Sequence, residues 1–291
     1  MFGVEYVFLR GMQGGWFYFT RHGWRLAASI LPRHWYTDGR FRETGTRLVG
    51  STGTVYRVPL PHSGLGSLPV VMKFNRFAQD APVFFTMGRA QAVAEDENDQ
   101  RLRGARFLSP FEEFGLLEQV RQSHHAVGGR PILTQRPYGI YAPPMQYPAW
   151  RLGRDENRYW SYDRALAIDQ SGEPEEHRVR HDWNRAYVTL FQWIGGIDAE
   201  SAAERNRLGG IALRNFSRTC YGELARHGFA VWDNKPRHLI VPNHNDAQWQ
   251  GLVRFRGKPL WALVDYELLY RINHPKPIFP ALDPKQCAKL A

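Results

Sequence analysis

The segment Val231-Trp232-Asp233-Asn234-Lys235-Pro236-Arg237-His238-Leu239-Ile240-Val241 concentrates residues that can do chemistry. An Asp two residues before a Lys-Pro turn can hold an acceptor hydroxyl while the Lys reaches a phosphate in transfer. Taken alone, Asp-x-Lys-Pro is also an ordinary turn. Upstream, Gly50 and Gly53 stand in Leu48-Val49-Gly50-Ser51-Thr52-Gly53-Thr54-Val55. Glycines let a backbone approach phosphates closely and aim N–H groups at them. Lys73 interrupts the apolar run Val70-Val71-Met72-Lys73-Phe74. An unpaired charge in a buried strand is costly, so this lysine either has a dedicated partner or lies on an edge strand facing water. Asp265 follows the apolar run Leu260-Trp261-Ala262-Leu263-Val264 and opens Asp265-Tyr266-Glu267.

These residues need strands and loops to position them. Val55 and Val70 to Phe74 read as two strands, and Pro61 to Pro69, with Gly64 and Gly66, reads as the hairpin joining them. Ser109 is a good N-cap, Pro110 suits the first helical position, and Glu112 completes a capping box. Glu112 is then occupied by the cap. Glu113, with Leu117 four residues on, is the candidate partner for Lys73, with Glu118 in reserve. The alternative is that all three glutamates are solvated. Pro131 to Pro137 reads as a strand.

In this order the motifs resemble the protein-kinase-like superfamily. Asp233-x-Lys235-Pro236-x-His238 is similar to the catalytic loop Asp-x-Lys-Pro-x-Asn, and Gly50, Gly53 and Val55 match the end of the glycine-rich loop, with Leu48 replacing its first glycine. Val70 to Phe74 resembles the strand bearing the phosphate-binding lysine. Asp265-Tyr266-Glu267 stands where protein kinases have Asp-Phe-Gly, and is closer to choline-kinase-like and aminoglycoside-phosphotransferase-like small-molecule kinases. The resemblance implies an α+β, bilobal kinase-like fold, with an antiparallel sheet and one helix in the N-lobe and a reduced, mainly helical C-lobe. It implies ATP and Mg²⁺, with Gly50, Gly53, Val55, Lys73, Glu113 and Ile240 at the nucleotide. Asp265 and His238 would be at the metal, and Asp233 and Lys235 catalytic. His238 replaces the metal-binding Asn, and because Mg²⁺ prefers oxygen, Mn²⁺ is an alternative. The Pro131–Pro137 strand would enter the hinge, with the backbone near Gln135 to Pro137 meeting the adenine.

The implied activity is ATP-dependent transfer of the γ-phosphate to a hydroxyl acceptor, small or anionic and otherwise unidentified. The alternatives are a nucleotide-binding pseudokinase that acts as a scaffold and a kinase-fold AMP transferase. A basic α+β binding protein remains as the non-kinase reading. The sequence has 26 residues after Asp265 and no Ala-Pro-Glu motif, so a platform for an extended peptide is not expected. Trp232 occupies the place of the arginine that anchors a phosphorylated activation loop. The acceptor site is therefore expected within 138–200, from Tyr141, Tyr147, Trp150, Arg151, Arg154 and Arg158, unless these residues merely cover an apolar helix face.

The 291 residues suffice for one large domain or two small ones, expected as an extension 1–45, an N-lobe 46–137 and a C-lobe 138–291 with an insertion 138–200. The extension is aromatic-rich, with a short helix expected over Arg21 to Leu31 ended by Pro32. It reads as packing on the N-lobe or as a membrane-surface or partner-binding arm. Trp183, Tyr187, Leu190 and Ile194 recur at helical spacing, as do Leu208, Ile211, Ala212, Phe216, Cys220 and Leu224, with Gly228 closing the second helix. An acidic patch lies at Glu95 to Asp99. The net charge of +10 permits attraction to polyanions, but no basic run or nucleic-acid motif appears, so no nucleic-acid partner is expected. No apolar run is long enough for a membrane span and no secretory signal is evident. Cys220 and Cys287 form no metal pattern, and a reduced, cytoplasmic protein is expected.

Overall fold

The computed structural model describes residues 1–12, 14–48, 53–62, 66–81, 105–127, 131–207, 209–241, 254–255 and 258–272. Gly50, the Glu95–Asp99 patch, Leu208 and Cys287 lie outside the described residues. The fold is α+β, built on a large antiparallel sheet with several helices.

The chain opens with strands β1 (Tyr6–Met12) and β2 (Gly15–Thr20), then short helices α1 (Arg21–Trp24), α2 (Ala27–Ile30) and α3 (Arg40–Thr44). Strands β3 (Thr46–Arg47), β4 (Val55–His62) and β5 (Gly66–Phe74) follow. Next come helices α4 (Pro110–Gln122) and α5 (His124–Val127), strands β6 (Leu133–Thr134) and β7 (Pro137–Ala142), helix α6 (Glu156–Asp169) and strand β8 (Val188–Gln192). Strand β9 (Ile197–Asp198) leads to helices α7 (Ala199–Arg205) and α8 (Gly210–Arg226). The remaining strands are β10 (Phe229–Val231), β11 (Leu239–Val241), β12 (Arg254–Phe255), β13 (Lys258–Pro259), β14 (Ala262–Leu263) and β15 (Leu269–Arg271).

Seven strands form one sheet in the order β1-β2-β7-β8-β5-β4-β3. Successive side chains of a strand face opposite sides, and β5 shows the consequence. Val70 and Met72 join a core with Phe17, Phe19, Ile30 and Trp35 on one face. Val71 joins a second core with Phe111, Phe114 and Phe191 on the other. Lys73 has the parity of Val71, so it points to the face on which α4 packs. Pro59 and Pro61 of β4 fall beyond Tyr56 and Arg57, the two residues that β3 pairs. There β4 is an edge, where a missing N–H is tolerated.

A smaller sheet has the order β6-β14-β11-β9, β10 pairs with β15, α7 packs on β9 and β11, and α8 packs on β10. Helix α4 starts as its sequence predicts: Ser109 Oγ accepts from Glu112 N at 3.3 Å and Glu112 Oε2 accepts from Ser109 N at 3.0 Å. Gly228, with φ of 85°, follows the end of α8.

Four expectations are corrected. The spacing over Trp183 to Ile194 forms no helix: Leu190 lies in the interior strand β8, while Trp183, Tyr187 and Ile194 fall outside it. The expected strand over Pro131 to Pro137 is broken in two: Leu133–Thr134 pairs in parallel with β14 in the small sheet, and Pro137 opens β7 in the large one. The boundaries at 45/46 and 137/138 both fall within the seven-stranded sheet, because β1, β2, β7 and β8 all pair into it. The helix expected over Arg21 to Leu31 is split into α1 and α2, and Pro32 begins a 3₁₀ turn.

Candidate functional site

A cavity of about 370 Å³ opens between the large sheet and the smaller one. Leu48, Val55 and Val71 line it from the large sheet and Ile240 and Val264 from the small sheet, while Phe191, Trp193 and Ile194 close its back. Its polar end holds Lys73, Glu113, His238 and Asp265.

Lys73 is the hub. Its Nζ lies 2.6 Å from Asp265 Oδ1, 3.1 Å from Glu267 Oε2 and 3.6 Å from Glu113 Oε1. The lysine side chain is 7% exposed, so it is not the edge-strand cation that the sequence left open. Helix α4 brings Glu113 to it because its cap fixes the first turn, while Phe111, Phe114 and Leu117 bury the helix against the sheet. Asn75 Nδ2 donates to Glu113 Oε2 at 3.1 Å. Burial pushes the Glu113 carboxyl up and Lys73 pulls against it, leaving the net value raised. Glu112 stays with the cap and with Arg106, at 2.9 Å. Glu118 meets Arg121 and His22 instead of Lys73.

Asp265 has φ of 65°, in the left-handed region that a non-glycine residue enters at a cost of roughly 1–3 kcal/mol. The strained turn after β14 delivers its carboxylate to Lys73. Burial would raise the Asp265 carboxyl, but Lys73, His238 and Arg76 more than reverse this, holding it well below the usual carboxylate range.

Asp233 leaves β10 and is buried, with Oδ2 at 2.9 Å from Lys235 Nζ. Its Oδ1 is buried with no hydrogen-bond partner, an expensive state unless a ligand completes it. His238 Nδ1 lies 2.9 Å from the Asp233 carbonyl oxygen. A carbonyl only accepts, so Nδ1 carries the proton. In the neutral ring this leaves a lone pair on Nε2, which is 3.7 Å from Asp265 Oδ2. This contact is to the Asp233 backbone and not to its carboxylate.

Asp265 and His238 Nε2 thus offer two donors to a hard divalent cation, which usually takes one or two protein groups and completes its shell with ligand oxygens. Among the described residues no group of three or more His, Cys, Asp or Glu forms a protein-only cage.

Val55 pairs with Lys73 across the sheet, and Ile240 pairs with Ala262 and Asp198. Gly53 is described and does not line the cavity, and Gly50 lies outside the described residues. Gln135 and Arg136 carry the chain from β6 in the small sheet to β7 in the large one, and Gln135 lines the cavity. The Gln135 N–H donates to Tyr266 Oη at 2.8 Å and is taken. The chain crosses back from β8 to β9 at Trp193 to Gly196. Gly196 has φ of 151°, and a Cβ there would stand 2.4 Å from the Val241 carbonyl oxygen, so this crossing needs a glycine.

The residues expected to form an acceptor surface lie away from the cavity lining. Tyr141 is 1% exposed inside β7, Arg154 packs 4.1 Å from the Phe77 ring centroid, and Arg158 pairs with Asp80. None of these, nor Tyr147, Trp150 or Arg151, lines the cavity, whose mouth carries Asp198, Ser201, Arg205 and Arg237. Sequence reasoning missed Glu267 and the Trp193–Gly196 crossing. A glutamate amid Tyr266, Leu268 and Leu269 was a visible sign of a buried carboxylate, and Gly195-Gly196 after Val188 to Phe191 was a sign of a strand ending. Arg76 carries no such signal.

Compared with known families and curated proteins, the chain matches no family model and no curated protein.

Proposed function

We propose that this protein is a phosphotransferase of the protein-kinase-like superfamily, moving the γ-phosphate of ATP to a hydroxyl acceptor. The carrying observation is the convergence of Lys73, Glu113, Asp265 and His238 on one cavity, with Asp233 and Lys235 joined to it through His238. The bilobal reading is supported by the cavity's position, with strands of the large sheet on one side and β9, β11, the end of β14 and α7 on the other.

In this reading Lys73, oriented by its carboxylates, grips the nucleotide phosphates. Asp265 and His238 Nε2 hold Mg²⁺ or Mn²⁺, which when bound neutralises charge on the phosphate oxygens. Asp233 Oδ1 accepts the proton of the attacking hydroxyl, while Oδ2 stays on Lys235. Lys235, with its side chain 34% exposed, can follow the transferring group. Catalysis is then positional and electrostatic.

The test is titration with ATP in the presence of Mg²⁺ or Mn²⁺, followed by nucleotide product analysis. ADP as the product supports the proposal. AMP transfer would release pyrophosphate, a scaffold would bind without turnover, and failure to bind ATP with either metal would refute the reading.

A further inference from the structure

We propose that the Tyr266 hydroxyl is a positioning group: it closes a bracket across the strained residue Asp265 and so holds the Asp265 carboxylate in place for the divalent cation. The inference rests on the phosphotransferase reading, which uses Asp265 and leaves Tyr266 without a role.

Tyr266 lines the cavity and is 1% exposed. Its hydroxyl donates to the Leu263 carbonyl oxygen at 2.5 Å and accepts from the Gln135 N–H at 2.8 Å. The first bond reaches back over Val264 and Asp265, so the residue with φ of 65° sits inside a closed turn. A non-glycine residue keeps such a conformation only where its surroundings over-determine it. On one side of the turn the Val264 N–H donates to the His238 carbonyl oxygen at 2.9 Å, and on the other the Leu269 N–H donates to the Tyr266 carbonyl oxygen at 3.0 Å. Lys73 fixes the end of the Asp265 side chain. The hydroxyl fixes the backbone from which that side chain starts.

The Gln135 end of the bracket is itself held. Gln135 Nε2 donates to the Gln192 carbonyl oxygen at 3.0 Å, and the Gln192 N–H donates to the Arg136 carbonyl oxygen at 2.9 Å. The hydroxyl thus ties the turn at Asp265 to both chain crossings between the sheets. Packing alone does not require the oxygen. A phenylalanine ring would fill the same space against Phe191, whose centroid lies 5.9 Å away. Burying a hydroxyl is costly unless it is bonded, and here one of its two bonds goes to the backbone that flanks the strained residue.

The test compares the wild type with Tyr266→Phe in equilibrium binding of ATP to the whole chain, without metal and with Mg²⁺. Mg²⁺ is expected to strengthen ATP binding by the wild type. In Tyr266→Phe that gain should shrink by about tenfold, within the range for buried groups left unpaired, while metal-free ATP affinity stays within twofold. A full metal gain in the variant would overturn the proposal even if its melting temperature fell, because the hydroxyl would then serve stability alone. An equal loss with and without metal would overturn it as well. A second measurement on the wild type decides the matter should Tyr266→Phe fail to fold. Exchange of the Gln135 amide requires its bond to Tyr266 to open. Because coupling is reciprocal, that exchange should be about tenfold slower with Mg-ATP than with metal-free ATP. Equal rates would overturn the proposal. If the wild type binds no ATP with Mg²⁺ or Mn²⁺, the phosphotransferase reading falls and takes this inference with it. If the wild type shows the metal gain and Tyr266→Phe matches it, only the inference falls.

Discussion

Replacing Lys73 with Met keeps a long unbranched side chain and removes one charge from among three carboxylates. Glu113 and Glu267 are 0% and 4% exposed, so water cannot replace the lost cation for them. Asp265, at 31%, is partly solvated and loses less. Breaking a buried ion pair from one side costs about 3–5 kcal/mol. Domains of 150–250 residues lose about 2–4 °C per kcal/mol, so the melting temperature should fall by roughly 10 °C near neutral pH. The pH dependence gives the sharper test. In the wild type, burial outweighs Lys73 at Glu113 and its carboxyl is already raised. Without the lysine, the buried carboxyls rise further. A carboxyl raised above its unfolded value contributes stability that is complete below the unfolded value and is lost as pH rises through the folded one. Asp265 in the wild type runs the other way: depressed, it contributes stability above its unfolded value that is lost as pH falls through the folded one. The gap between wild type and Lys73→Met should therefore be widest at pH 8 and narrow toward pH 5. Calorimetric scans without nucleotide at four pH values measure it. A loss under 2 °C at pH 8, or a gap that does not change with pH, would refute the account of Lys73 as the counter-ion of buried carboxylates.

Three further outcomes follow from the geometry. Asp233→Asn should lower turnover by about 10²–10⁴-fold, the range for losing a general base, while nucleotide affinity stays within twofold; equal loss of both would remove Asp233 from the acceptor side. Ser109→Ala removes the cap of α4 and should cost about 0.5–2 kcal/mol in urea denaturation, and an unchanged midpoint would count against the capping box as an anchor of Glu113. Gly115→Val places a Cβ 2.5 Å from Phe2 Cβ and 2.6 Å from the Phe2 carbonyl oxygen, so the first residues should lift from α4. The cost should be about 1–3 kcal/mol, with faster amide exchange over residues 1–6; exchange as slow as in the wild type would show that the close contact is not tight.

The sequence by itself determined the local pieces. Ser109-Pro110-x-Glu112 specifies a helix start through backbone satisfaction alone, and the structure has that start. The apolar run around Lys73 specifies a strand, and Gly228 specifies a helix end. These features depend on neighbours a few residues apart, so they can be read without the fold. Where the chain's period was ambiguous, the sequence misled: Trp183, Tyr187, Leu190 and Ile194 fit a helix by spacing, but pairing with β5 and β7 makes Val188–Gln192 a strand. Only tertiary structure decided that choice, because hydrogen bonds to two flanking strands outweigh a weak local preference. The same holds for the site. That Lys73 needed a partner followed from burial cost, but Glu267 and Asp265 as its nearest carboxylates depend on a left-handed turn at Asp265 and on sheet-to-sheet packing almost two hundred residues away along the chain. Arg76 joins Lys73 only because both chains end on one buried carboxylate, and no rule of spacing carries that contact.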